Sequence, residues 1–139
     1  MRTNIVSINF KSYSTSRNVG NYKETCFFDD NNRLVRTHLT DYLGRDVDTK
    51  WFDKNGIVSE HLHKDYYEKE NEIGVVEHFT KKNEEYVRKS YSRIIDGLMH
   101  RIDDYKSLNN PEKSYINEFI YDIKNKLIKI INNGKVINL

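Results

Sequence analysis

The chain has 139 residues, of which 37% are hydrophobic and 32% charged, and its formal net charge is +2. This length is typical of one domain, here expected to span 1–139, and ten tyrosines, six phenylalanines and one tryptophan argue against a disordered chain. Acidic and basic residues are mixed along the chain, so a dedicated nucleic-acid binder is not expected.

The cysteine content and the hydropathy pattern bear on the cellular compartment. Cys26 is the single cysteine and cannot form an internal disulfide, which is typical of proteins in a reducing environment. The first ten residues, MRTNIVSINF, lack the apolar core of a signal peptide. No segment approaches the roughly 20 apolar residues of a membrane span. We therefore expect a cytoplasmic protein with no membrane partner.

The N-terminal segment shows the two-residue periodicity of a strand. In 4–13 the side chains of Val6, Ile8 and Phe10 alternate with polar ones, which predicts a half-buried strand. The next stretch, 14–21, reads STSRNVGN and is polar throughout, so it is predicted to be a loop.

A tandem repeat of 12 residues follows. The segments 25–36, 37–48 and 49–60 align without gaps, and weaker copies occupy 61–77 and 78–89. Each unit fits one strand of about eight residues and a turn of about four, in which Asp opens the turn and Gly or Asn accepts a positive φ. The repeat therefore predicts an antiparallel β-meander. The recurring turn residues are Asp29 with Asn32, Asp41 with Gly44, and Asp53 with Gly56.

The repeat units resemble a known class of short β-repeat. FDDNNRLV (28–35), TDYLGR (40–45) and FDKNGIV (52–58) are similar to the tyrosine–aspartate (YD) repeats of the rearrangement-hotspot family and to the Tyr-Asp-x-x-Gly repeats of some bacterial immunity proteins. The likeness covers residues 25–60, with Phe often in place of Tyr. It implies a β-sheet, and it suggests an immunity-type role.

Near residue 93 the separation between successive hydrophobic residues changes. It is two positions before this point and alternates between four and three positions after it. Tyr91, Ile95, Leu98, Ile102 and Tyr105 follow this spacing, and so do Ile116, Ile120, Ile123, Leu127 and Ile130. The spacing predicts two amphipathic helices over 93–134, the second capped by Asn110 with Pro111 at its first position and ending at Asn133-Gly134. A tail, 135–139, adds an edge strand or frays. The predicted fold class is α+β: a meander of about six to seven strands in 1–92, followed by an αα-hairpin.

Two His-x-Thr triplets suggest a catalytic alternative. They resemble the paired motif of 2H phosphoesterases, in which two histidines exchange protons with a phosphodiester and the threonines bind its oxygens. The resemblance would imply hydrolysis of cyclic nucleotides. The 40-residue spacing is short for that fold, and the polar residues Asp41 and Lys81 stand where the family has an apolar one. The residues that would be catalytic are His38, Thr40, His78 and Thr80.

A second group of histidines is compatible with metal binding. His61, His63 and Asp65 alternate along one strand, so their side chains share a face. A zinc site would need a further ligand, for which Cys26 and His78 are available. A polar strand face explains the pattern more simply, so no metal and no cofactor is expected.

The same histidines take part in a predicted binding site. If the repeat register holds, His63 lies beside Trp51 and a ligand could contact both, together with His61. If the register slips by one residue near Gly56, Val58 and Leu62 are buried instead. The segment 66–71, YYEKEN, is the one expanded loop of the repeat, and its two tyrosines are suited to an interface. The predicted binding residues are Trp51, His61, His63, Tyr66 and Tyr67.

These features favour a non-enzymatic protein inhibitor of the toxin-immunity or phage anti-defence type, whose partner is another protein. The first alternative is a 2H-like phosphodiesterase. The second is a protein that sequesters a small nucleotide as a dimer or higher oligomer. Edge strands and the isoleucine-rich segment make a homodimer plausible.

Overall fold

A computed structural model of the chain describes residues 12–139. Eleven strands make up most of this part of the chain, and in it one turn of 3-10 helix at Pro111–Lys113 is the only helix. Within the same residues no helix has the length and apolar character needed to cross a membrane. The strands are β1 (Tyr13–Val19), β2 (Tyr22–Phe28), β3 (Leu34–Thr40), β4 (Asp46–Phe52), β5 (Val58–Lys69), β6 (Glu72–Lys81), β7 (Glu84–Ile95), β8 (Leu98–Ser107), β9 (Tyr115–Tyr121), β10 (Leu127–Asn132) and β11 (Lys135–Asn138).

The predicted α+β class is wrong, because the segment 93–134 forms strands and not a helical hairpin. β7 and β8 are joined by a two-residue turn in which Asp96 has φ 51° and Gly97 has φ 79°. Two consecutive residues with positive φ are typical of a type I′ hairpin turn and are incompatible with a right-handed helix.

The spacing that predicted a helix is produced by the hairpin itself. Residues four apart on a strand share a face, as Tyr91 and Ile95 do. The residues that flank a two-residue turn are three apart and pair directly, as Ile95 and Leu98 do. Tyr91 likewise pairs with Ile102. A symmetric β-hairpin thus reproduces the steps of four, three and four from Tyr91 to Ile102, whereas Tyr105, three residues after Ile102 on the same strand, lies on the other face.

The second predicted helix is interrupted twice. A five-residue turn from Asp122 to Lys126 separates β9 from β10, and Asn133-Gly134, with φ 46° and 85°, forms the turn into β11. Ile123, which the helical spacing placed on the apolar face, lies in the first of these turns and is 85% exposed. The tail forms β11, which pairs antiparallel with β10.

Four turns share one pattern of hydrogen bonds. In each, one Asp carboxylate oxygen accepts the amides two and four residues later, and the Asp carbonyl accepts the amide three residues later. The residue at the fourth position has positive φ, which Gly and Asn tolerate best. The fourth copy continues the repeat into the segment that was predicted to be helical. The turns begin at Asp29, Asp41, Asp53 and Asp122.

These carboxylates make the stability of the first turns depend on pH. The pKa of Asp29 is lowered, first by the hydrogen bond from the Arg33 amide and also by its guanidinium, against an opposing effect of burial. Burial alone would raise the pKa of Asp41, but the hydrogen bonds to the amide and guanidinium of Arg45 outweigh it and lower the pKa. Such stabilisation is fully present above the unfolded pKa, near ~3.9, and is lost as the pH falls through the folded value.

We therefore expect the double variant Asp29→Asn/Asp41→Asn to lose less stability on acidification than the unmodified chain does. The measurement is the urea midpoint at about pH 6 and about pH 3. Asp30→Asn is the control, because Asp30 is an exposed neighbour whose carboxylate accepts no hydrogen bond in the described residues. Equal losses in the double variant and the unmodified chain would contradict the prediction.

The chain divides into two compact units, 1–63 and 64–139. The described part of the first unit is an antiparallel meander of β1 to β4 and the beginning of β5. β1 occupies the segment 14–19 that was predicted to be a loop, so that prediction is wrong. The predicted strand over 4–13 lies outside the described residues except for its last two positions.

The second unit contains the end of β5 and the antiparallel meander from β6 to β11. Its buried apolar side chains are Ile102 and Ile120, at 5% and 7% exposure, and they are the only buried hydrophobic residues in 12–139. One face carries a ladder of four stacked or tilted aromatic rings whose successive centroids are 4.8, 5.0 and 5.0 Å apart. The ladder consists of Phe79, Tyr86, Tyr105 and Tyr115.

Candidate binding site

The first unit has a groove of about 510 Å³ on one face of its sheet. Its centre is a cross-strand row in which Phe27 pairs with Arg36 and Arg36 pairs with Trp51, so the three side chains share a face. The Arg36 guanidinium carbon lies 4.0 Å from the centroid of the Phe27 ring. The lining residues are Ser12, Tyr13, Ser14, Phe27, Phe28, Val35, Arg36 and Trp51.

The groove combines rigid apolar surface with one cation. Tyr13 and Phe28 stack at 4.9 Å, and Phe27, Arg36 and Trp51 are all half-buried, so each keeps part of its surface accessible. Tryptophan, tyrosine and arginine are the residue types that contribute most often to protein interfaces. The arrangement can therefore bind the side chains of another protein.

The histidines predicted to share a pocket with Trp51 lie on the opposite face. His61 pairs with Lys50 and His63 pairs with Asp48, whereas Trp51 pairs with Glu60. A register shift between Trp51 and Phe52 produces this pairing. The structure thus brings His61 and His63 together and separates both from Trp51. Leu62, on the Trp51 face, is half-buried, and Val58 is 45% exposed.

One carboxylate oxygen binds both of these histidines. Oδ1 of Asp48 lies 2.7 Å from Nε2 of His61 and 3.2 Å from Nδ1 of His63. Because an ionised carboxylate only accepts hydrogen bonds, each ring donates through the named nitrogen. In the residues that the structure describes, no group of three His, Cys, Asp or Glu side chains could hold a metal ion. The pKa of the Cys26 thiol is raised by burial and by the nearby Glu24.

The two His-x-Thr triplets lie on β3 and β6. Nε2 of His38 is 2.7 Å from Oδ1 of Asp46, and the Thr40 hydroxyl donates to the Lys23 carbonyl at 3.3 Å. These are local contacts within the first unit. His78 belongs to the second unit, where its Nε2 is 3.8 Å from Oδ2 of Asp65, and Thr80 is exposed.

Tyr66 and Tyr67 belong to β5 and not to a loop, since only 70–71 form the turn between β5 and β6. Lys89 lies over the Tyr67 ring, with its Nζ 5.3 Å from the centroid. The Tyr67 hydroxyl is buried without a hydrogen-bond partner in the described part of the chain. Burial raises the pKa of Tyr67, and the negative charge of Glu72 adds to the effect.

A second groove, of about 390 Å³, lies in the second unit and was not predicted. It crosses β7, β8 and β9, and residue types alone could not reveal it, because the register of three strands decides which side chains meet. Arg101 is an exposed cation of this groove, with the guanidinium carbon 5.4 Å from the centroid of the Tyr121 ring. The groove is lined by Arg88, Ser90, Tyr91, Ser92, Arg101, Ile102, Asp103, Phe119 and Tyr121.

Comparison with known proteins provides no relative for this chain. No family model matches it, and neither the curated proteins nor the solved structures include a match.

Proposed function

We propose that the chain is a non-enzymatic binding protein that inhibits a protein partner, as in toxin–immunity pairs or phage anti-defence. The observation that carries the proposal is the groove of the first unit, in which Trp51, Arg36 and Phe27 form one accessible row. Large, rigid side chains of this kind bury much surface at little cost in conformational entropy.

The described contacts of the histidines are with carboxylates. His38 and His61 each have a carboxylate as hydrogen-bond partner, which orients the ring. Phosphodiester hydrolysis by a 2H-like arrangement would need His38 and His78 at one scissile phosphate. The contacts described for these two histidines are with Asp46 and Asp65.

The test is co-expression of the chain with the protein encoded by the adjacent gene. Cell growth is the readout, because a chain that inhibits this protein protects the cells from it. Trp51→Ala is expected to weaken the complex roughly thirtyfold or more and to abolish the protection of the cells, because truncating a central aromatic anchor costs about 2 kcal/mol or more. Tyr42→Ala is the matched control, since Tyr42 is an aromatic residue at 78% exposure outside the groove. Thermal unfolding of both variants shows whether the fold is retained.

Three outcomes would contradict the proposal. The first is full protection by a folded Trp51→Ala variant. The second is hydrolysis of a cyclic nucleotide by the chain that is lost in His38→Ala/His78→Ala. The third is a nucleotide that is released only when the purified protein is heat-denatured, which would favour sequestration.

A further inference from the structure

We propose that the groove of the second unit binds an acidic side chain of a protein partner, with Arg101 as the residue that recognises the carboxylate. This inference rests on the proposed function in one respect, namely that the occupant is a protein. The inference concerns a different groove and different residues from those of the proposed function, so either can be rejected without the other.

Two unused hydrogen-bond donors stand side by side in this groove. Arg101 on β8 pairs directly with Ser92 on β7, so their side chains project from the same face. In the described residues, Arg101 forms no ion pair and the Ser92 hydroxyl makes no hydrogen bond. A guanidinium next to a hydroxyl matches the several acceptor positions of a carboxylate.

The neighbouring acidic group does not cancel the charge of Arg101. The Asp103 carboxylate accepts from Nε and Nη2 of Arg88, at 2.9 and 3.0 Å, and from the Ser90 hydroxyl at 3.3 Å. These bonds raise the pKa of Arg88 and occupy both carboxylate oxygens. Arg101 therefore remains as an unneutralised positive charge beside a neutralised pair.

Aromatic side chains of the groove position the arginine. Arg101 pairs on its other side with Phe119, and its guanidinium lies against Tyr121. A stacked guanidinium loses less conformational freedom on binding than a solvated one does. Tyr105 of the aromatic ladder is four residues from Arg101 on the same strand and so shares its face. A segment with an acidic residue flanked by apolar side chains fits this surface.

The charge distribution favours a protein over a nucleic acid. Nucleic-acid binding relies on several phosphate contacts from a basic surface. This groove has one unpaired cation, and the formal net charge of the chain is +2. One charge-assisted contact surrounded by aromatic surface is instead typical of a protein interface.

The experiment measures binding of a fluorescein-labelled peptide, Gly-Leu-Glu-Phe-Glu-Leu-Gly, to the full chain by fluorescence anisotropy. Arg101→Ala is expected to weaken binding roughly tenfold to a hundredfold, the range for a lost charge-assisted hydrogen bond. The peptide with Gln in place of both Glu should lose affinity to the same degree on the unmodified chain. Arg101→Lys should recover only part of the affinity, because an ammonium is not bidentate.

The matched control is Arg17→Ala, because Arg17 is an arginine of the first unit with an exposed side chain, and this change should leave peptide binding unaltered. The proposal is overturned if the Glu and Gln peptides bind equally, or if Arg101→Ala binds like the unmodified chain. It is also overturned if a single-stranded DNA oligonucleotide binds as tightly as the Glu peptide. Failure of the Trp51→Ala growth test would reject the proposed function without changing any of these readouts.

Discussion

Replacing Ile102 with alanine is expected to lower the free energy of unfolding by about 2–5 kcal/mol. Ile102 is 5% exposed and stands between Tyr91 and Glu118 on the neighbouring strands. Removing its outer carbons would leave a cavity that the paired strands cannot close, because their spacing is fixed by backbone hydrogen bonds.

The effect should be large because so few apolar side chains are buried. Ile102 and Ile120 are the two buried hydrophobic residues in 12–139, so little else compensates for the loss. Ile94→Ala is the control, since Ile94 lies on the adjacent strand and is 49% exposed. It should cost about 1 kcal/mol or less. Urea denaturation measures the free energy of unfolding of both variants, provided that its dependence on urea concentration keeps the same slope. Equal losses of stability in the two variants would contradict the burial of Ile102.

The second large effect is expected for Tyr105→Ala, which should cost about 2–3 kcal/mol, less than the roughly 3–5 kcal/mol of a fully buried aromatic truncation, because Tyr105 is half-buried. Tyr105 is an interior ring of the aromatic ladder, with centroids 5.0 Å from both Tyr86 and Tyr115. The change removes contacts on both sides and separates the ladder into two parts. Such cross-strand pairs stabilise a sheet.

The variant Tyr105→Leu distinguishes the contribution of ring stacking to stability from the contribution of buried apolar area. Leucine retains much of the buried surface, so this variant should recover part of the loss. It should remain less stable than the unmodified chain, since each aromatic pair contributes about 0.5–1.5 kcal/mol beyond area burial. A double-mutant cycle between Tyr105 and Tyr115 measures that contribution directly. Zero coupling in the cycle would show that the ladder stabilises the sheet by area alone.

The repeated turns were predictable because their chemistry is local. An Asp that opens the turn and a Gly or Asn three residues later are visible in the residue types, as at Asp41 and Gly44. The observed turn is five residues long, one more than predicted, because the same carboxylate also binds the Arg45 amide. That contact accompanies the register shift between β3 and β4.

The strands of 93–134 were not predicted, although signals for them are present in the sequence. Asp96-Gly97 and Asn133-Gly134 are strong hairpin dipeptides, and Tyr121-Asp122 with Asn125 repeats the turn pattern. The helical spacing hid them, because hydrophobic spacing alone cannot distinguish a helix from a hairpin that is symmetric about a two-residue turn.

The grooves depend on register and therefore could not be read from residue types. Trp51 was correctly placed on a β-strand, but its face relative to His61 and His63 is set by one shift in the β4–β5 pairing. A slip of one residue moves a whole set of side chains to the other face. Nothing in the sequence around Arg101 distinguishes it from the other arginines. Only the pairing of its strand with the neighbouring strands places it in the groove.

The most direct test of the β-meander is an NMR measurement of contacts across the segment 93–134. We expect nuclear Overhauser effects between the backbone protons of Tyr91 and Ile102, and between those of Tyr105 and Tyr115, since both are cross-strand pairs. Contacts between residues three and four apart along 93–134, without the cross-strand ones, would show helices and contradict the β-meander.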